Sequence, residues 1–192
     1  MNTLAENKDV VIEIAPEIEL RTATLAFAKE LHQLVKSNLK YLAKWMSWAT
    51  ENIAVRDLEE FLRREMEVRE RRTGINFCVF NNQTMIGNIG AKEIDSTNRS
   101  AEIGYWIAED AQGNGIATNA CKAIINLLFT EYELNRIVIK CGTENYKSQA
   151  IPERLGFTNE GISRQVLWLN DRFIGLSVYS LLKEEWNQGS EN

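Results

Sequence analysis

Apolar residues recur along this chain at two different periods, and the change of period divides it. Val10 to Ile14 and Glu19 to Thr22, on either side of Pro16, read as short extended pieces. From Leu25 the spacing Leu25, Ala28, Leu31, Leu34, Val35 is helical. It continues less regularly through Leu39 and Leu42, which predicts two short helices rather than one long one. Tyr41, Trp45 and Trp48 follow as an aromatic cluster. A strongly charged helix is predicted from about Val55 to Arg72, with Leu58, Phe61, Leu62, Glu65 and Met66 on its inner edge and Gly74 as its stop.

After Gly74 the pattern becomes that of strands. Ile75 to Phe80, Met85 to Ala91 and Ala101 to Ile107 read as three strands, joined by a hairpin at Asn81-Asn82-Gln83 and a polar turn at Asp95 to Asn98. Helical spacing returns at Ala117, Ala120, Cys121, Ile124, Leu127, Leu128 and Tyr132. Arg136 to Cys141 is expected as a central strand, because Ile137, Val138 and Ile139 run without alternation. A short helix from Tyr146 to Leu155 would start on Asn145 as N-cap and stop at Gly156. Strands at Thr158 to Trp168 and Phe173 to Leu182 flank an Asn170-Asp171 turn. Helices alternating with strands on one mixed sheet make this an α/β-type (α+β) chain, expected as one domain over 1–192, frayed at 1–9 and 187–192.

Composition narrows the function. A chain of 192 residues with 44% hydrophobic and 26% charged residues is globular, and a net charge of −5 argues against direct binding to nucleic acid. It slightly favours a cationic partner. Cys78, Cys121 and Cys141 are scattered, with no metal-ligand spacing, so no disulfide framework and no metal are expected. No apolar run approaches the roughly 20 residues of a membrane span, and no basic start leads into one. A soluble cytoplasmic protein without membrane contact is the expectation.

The segment richest in chemistry is Gln112-Gly113-Asn114-Gly115-Ile116-Ala117-Thr118, between a strand and a helix. The first turn of a helix leaves N–H groups unpaired, and the helix dipole adds positive charge there. Glycines let a phosphate approach that backbone closely. The loop is therefore a plausible pyrophosphate cradle, or equally a tight Asn-Gly turn before a helix. A dinucleotide fingerprint would need glycine at Thr118, and a P-loop would need Lys after Gly115.

Two more segments separate these readings: Ala101-Glu102-Ile103-Gly104-Tyr105-Trp106-Ile107, running into the loop, and Asn145-Tyr146-Lys147-Ser148, leading to Glu153-Arg154-Leu155-Gly156-Phe157. Together with the loop they resemble the GNAT superfamily of acetyl-CoA-dependent N-acetyltransferases, and within it the Rim-type branch acting on ribosomal-protein N-termini. The resemblance is strongest from Phe77 to Leu182. It implies the GNAT fold, a mixed and mostly antiparallel sheet splayed at its centre with flanking helices. It also implies acetyl-CoA as co-substrate and a homodimer. The family's Gln/Arg-x-x-Gly-x-Gly/Ala pattern falls on Gln112, Gly115 and Ala117, so amides of Gly113, Asn114, Gly115, Ile116, Ala117 and Thr118 would hold the pyrophosphate. Pantetheine would lie between the Tyr105-Trp106-Ile107 strand and the Arg136 strand, with Asn145 on its arm and Ser148 near the sulfur.

Direct attack of an amine on the thioester needs proximity, a polarised carbonyl, a proton acceptor and a donor for sulfur. Ser148 is the candidate donor, although serine is also an ordinary residue at helix starts. Where many relatives carry a donor tyrosine this chain has Pro152, which removes a helical N–H and is expected to leave the Ser148 carbonyl unpaired. Glu102 is the candidate base, or else a solvated strand carboxylate. The glutamate that the ribosomal-type relatives use falls on Leu167. His32, Trp45 and Trp48 are candidates for the acceptor site, against packing roles for all three. The expected acceptor is a protein N-terminus. The alternatives are a polyamine or aminoglycoside, or an acetyl-CoA-binding module without turnover.

Overall fold

The computed structural model of the chain describes residues 9–189. Its elements are β1 (Val11–Ala15), β2 (Ile18–Thr22), a 3-10 turn (Leu25–Phe27), α1 (Ala28–Ser37), α2 (Leu39–Leu42), α3 (Val55–Glu70), β3 (Ile75–Asn81), β4 (Thr84–Asp95) and β5 (Ser100–Ile107). A second 3-10 turn (Glu109–Ala111) leads to α4 (Ile116–Thr130), β6 (Arg136–Gly142), α5 (Tyr146–Arg154), β7 (Thr158–Leu169), β8 (Arg172–Leu182) and α6 (Lys183–Gly189). The fraying expected at 1–9 and 187–192 lies outside the described residues for 1–8 and 190–192. Of the remainder, Asp9 stands 3.9 Å from Arg69 and residues 187–189 complete α6.

The eight strands form one sheet in the order β1-β2-β3-β4-β5-β6-β8-β7. Only β5 and β6 pair in parallel; the other neighbours are antiparallel. One face packs on α4, where Ala120, Cys121, Ile124, Ile125 and Leu128 meet Phe77, Ile89, Ile103 and Ile139. The other face is covered by α1–α3, where Leu31, Val35, Leu42, Leu58 and Leu62 meet Cys78, Phe80 and Trp106. Strand β3 is buried on both faces, and each fully buried side chain such as Phe77 or Leu62 contributes about 1.5–3 kcal/mol.

Three local expectations change. Helix α3 ends through Arg72, whose φ of 56° makes the left-handed turn assigned to Gly74, with the Thr73 and Gly74 N–H groups both returning to Val68 O. Strand β6 is central in the sheet but alternates after all: Ile137, Ile139 and Cys141 are buried, while Val138 is half-buried and Lys140 exposed. The Ser148 carbonyl is not left unpaired, as the site below explains.

The feature that positions the site is a register. β5 and β6 pair only from Ser100↔Arg136 to Ile103↔Ile139. Beyond that point β5 stays on β4 as far as Ile107, and β6 stays on β8 as far as Gly142. The two strands therefore diverge, opening a gap in the middle of the sheet.

Candidate active site

The gap continues into a cleft of about 830 Å³, lined by Tyr105, Trp106, Ile107, Gln112, Gly113, Gly115, Ile116, Ala117, Thr118, Asn145 and Ser148, among others. Eleven of the twelve residues expected to hold the cofactor thus meet in one concavity. Asn114 is exposed and does not line it. Gly115 is the N-cap of α4 at φ 73°, no side chain caps that helix, and the first bond back to the cap comes from Asn119 N–H to Gly115 O at 3.0 Å. The amides of the preceding turn are left as donors at the positive end of the helix dipole. Gly113 (φ 86°) and Gly115 each have open space where a Cβ would stand. Gln112 fastens the loop to the strand end, donating from Nε2 to Ile107 O at 3.2 Å.

On the strand side, Ala108 N–H pairs with Ile86 O across to β4. The alternation of an antiparallel strand then turns the Tyr105 and Ile107 N–H groups toward the gap. On the far wall Asn145 caps α5, its Oδ1 accepting from Ser148 N–H at 3.2 Å. Pro152 supplies no N–H to the Ser148 carbonyl four residues back, and the Tyr105 hydroxyl does so instead, at 3.0 Å. The same hydroxyl accepts from Ser148 Oγ at 3.2 Å, and Cys141 Sγ lies 3.2 Å from that oxygen on the other side. Burial pushes the Tyr105 phenol far above its ordinary pKa and raises that of the Cys141 thiol, so both stay protonated.

Glu102 is placed differently from a solvated strand carboxylate. Its side chain is 14% exposed and is gripped by Lys140 at 2.7 Å and Lys92 at 2.9 Å. Burial alone would raise its pKa, but the two ammonium groups more than offset this and hold it below the usual carboxylate range. It lines neither the cleft nor the second cavity described next. A carboxylate so held is a poor proton acceptor. Leu167 sits half-buried on β7 opposite Ile174, away from both.

A second cavity, of about 520 Å³, lies on the opposite face between α1, α3 and strands β3–β5. It shares Met46, Tyr105 and Trp106 with the cleft, so the two meet at the open end of β5. Trp48 lines this cavity and tilts against Trp106 with ring centres 6.3 Å apart, whereas Trp45 lines the cleft. His32 lines neither; its Nε2 stands 3.2 Å from Ile53 O, tying α1 to the loop that leads into α3.

Sequence reasoning missed the cations of the cleft, Lys122, Lys147 and Arg154, the last donating to Thr118 Oγ1 at 2.9 Å. Helical spacing carried the signal. Lys122 follows Thr118 by four residues, and Lys147, Ile151 and Arg154 recur at steps of four and three. Around the second cavity, Asn76 and Asn88, polar residues in otherwise apolar strands, were also missed, and Glu65 was read only as part of a helix edge and not as a site residue.

Comparison with known proteins places this geometry. The acetyltransferase (GNAT) domain family matches residues 17–158. YdaF of Bacillus subtilis, named as a candidate ribosomal N-acetyltransferase, is 37% identical over 180 residues, covering 91% of this chain and 96% of its own. The ribosomal-protein-serine acetyltransferase of Escherichia coli is 31% identical over 169 residues, covering 88% and 94%. A solved structure of RimL, a ribosomal L7/L12 α-N-protein acetyltransferase bound to coenzyme A, superposes with a TM-score of 0.87 at 27% identity, covering 92% of this chain and 99% of that one. More distant relatives include a spermidine N(1)-acetyltransferase from Vibrio cholerae, 26% identical over 176 residues, covering 91% and 98%.

Proposed function

The chain belongs to the GNAT acetyltransferase family, and from that premise we propose that it moves the acetyl group of acetyl-CoA directly onto the α-amine of a protein N-terminus, of ribosomal-protein type. The observation that carries the reading is the meeting of two cavities at Tyr105 and Trp106, where β5 and β6 part. One cavity has the donors for a diphosphate. The other opens on the opposite face, where an amine can approach the same strand.

In this reading the uncapped first turn of α4 binds the pyrophosphate, with Lys122, Lys147 and Arg154 around it. Gap-facing N–H groups of β5 polarise the thioester carbonyl. The free amine attacks the acetyl carbon, a C–N bond forms and the C–S bond breaks. Sulfur takes its proton from Ser148 Oγ, and the proton shed by nitrogen restores the serine through water. A thiol with an ordinary pKa near ~8.5 needs only such modest help to leave. Glu102 is assigned to holding Lys92 and Lys140, not to proton transfer.

A polyamine acceptor is the second reading, prompted by the spermidine relative. The charges lining the acceptor cavity favour the peptide. The lining carries two acidic residues, Asp57 and Glu65, and two basic ones, Arg64 and Lys92, so its formal charge is zero, with no surplus of negative charge for a polycation. The deciding experiment is acetyl-CoA-dependent thiol release, with mass spectrometry of the product, on N-terminal peptides and on spermidine. Peptide acetylation at the α-amine supports the proposal; turnover of spermidine alone overturns it. The single eight-stranded sheet supports one catalytic domain. Exposed Ile162, Val166, Trp168 and Phe173 on the β7–β8 hairpin support a homodimer, and a sedimentation experiment giving only monomer would remove it.

A further inference from the structure

The acceptor cavity contains a charged group that acetyl transfer as described leaves unused. Glu65 lies on the inner edge of α3, half-buried beside Phe61 and Leu62, and it makes no hydrogen bond or ion pair among the described residues. The other charges of the lining differ. Asp57 accepts from Ala54 N–H at 2.8 Å at the start of α3, and Lys92 is paired with Glu102 at 2.9 Å. Arg64 is exposed, and it only partly offsets the burial that raises the Glu65 pKa. With no protein donor and its oxygens still open to solvent, the carboxylate is free to exchange water for a donor on a ligand.

The floor opposite Glu65 is a trough. Asn76, Gly90 and Gly104 stand side by side across three strands, in the register Asn76↔Gly90↔Gly104. The Asn76 and Asn88 amides bond to each other at 2.6 and 3.1 Å, which fixes one wall in place. At Gly104 a Cβ would meet nothing within 4 Å, so the trough is open where it reaches Tyr105 and the cleft. No left-handed backbone requires glycine at that position; the missing side chain leaves a passage.

We propose that the acceptor lies extended in this trough, its attacking amine reaching the thioester over Gly104 and a second N–H donor, from its backbone or a side chain, held by Glu65. The inference rests on the acetyltransferase reading and deepens it: the substrate class is a peptide end with donors beyond its terminal amine, not a simple monoamine. Glu65 is then an anchoring residue for the acceptor, and Gly104 sets the width of its entry.

The test uses purified wild type, Glu65→Gln and Gly104→Val, with a hexapeptide bearing a free N-terminus and with butylamine as acceptors. Thiol release gives kcat and KM for each, and calorimetry gives acetyl-CoA affinity. Glu65→Gln is expected to raise the peptide KM roughly tenfold, the worth of one charge-assisted hydrogen bond, and to leave butylamine kinetics unchanged. Gly104→Val is expected to depress turnover of both acceptors while acetyl-CoA affinity and melting temperature hold. Equal losses for both acceptors in Glu65→Gln, no loss for the peptide, or full activity in Gly104→Val would overturn the inference and leave the acetyltransferase reading intact. Wild-type silence toward the peptide would overturn the peptide reading and this inference with it.

Discussion

Removing the Tyr105 hydroxyl isolates the coupling between strand β5 and helix α5. That hydroxyl donates to Ser148 O at 3.0 Å and accepts from Ser148 Oγ at 3.2 Å, and it takes the place of the N–H that Pro152 lacks. In Tyr105→Phe the carbonyl loses its donor, at a cost of about 1 kcal/mol if water reaches it and about 3 kcal/mol if none does. In a Pro152→Ala background an N–H returns four residues after Ser148 and can supply an ordinary helical bond worth about 0.5–1.5 kcal/mol. The same Tyr105→Phe change should therefore cost about 1 kcal/mol less in that background. Urea unfolding of the four proteins without ligand closes the cycle, so the packing lost with the buried Pro152 cancels. A coupling energy inside the roughly 0.3–0.5 kcal/mol expected of independent sites would refute the exchange of donors.

Other outcomes follow from the same geometry. Ser148→Ala should lower kcat by roughly 10²-fold while acetyl-CoA affinity, read by calorimetry, barely changes; unchanged turnover would remove Ser148 from the chemistry. Gly115→Ala meets no protein atom but forces a side chain to φ 73°, so it should cost about 1–2 kcal/mol in urea and weaken acetyl-CoA, and unchanged affinity would argue against the cradle. Glu102 is held below its unfolded pKa, so its contribution to stability is present above that unfolded value, near ~4.3, and is lost as pH falls through the folded one. The stability gap between wild type and Glu102→Gln should accordingly be flat from about pH 6 to 8 and close below about pH 4, and an inflection of the gap near neutrality would contradict the two-lysine clamp.

The parts legible in the sequence were those set by local rules. Asn145 announces the start of α5, and Gly156 at φ 78° its end. The Asn82-Gln83 and Asn170-Asp171 pairs adopt the left-handed turns that hairpins need. The glycine loop is recognisable because its chemistry is confined to seven consecutive residues. What escaped depends on contacts between elements distant in the chain. Pro152 showed that a donor was missing, but only the fold brings Tyr105 across from 47 positions earlier to supply it. Glu102 carries no local sign of Lys92 and Lys140, which approach from strands on either side. At the end of α3 the nearest glycine suggested the stop, yet Arg72 turned the chain, since an exposed residue bears a left-handed φ at modest cost.

The central claim is that the free amides at the start of α4 and the opening between β5 and β6 form a ready-made seat for acetyl-CoA. Its most direct test is the unfolding free energy in urea as acetyl-CoA is titrated over several decades. Stability should climb by about 1.4 kcal/mol per decade once the ligand exceeds its dissociation constant, reaching about 2.7 kcal/mol at a hundredfold excess. A curve that stays flat to millimolar ligand would contradict the account.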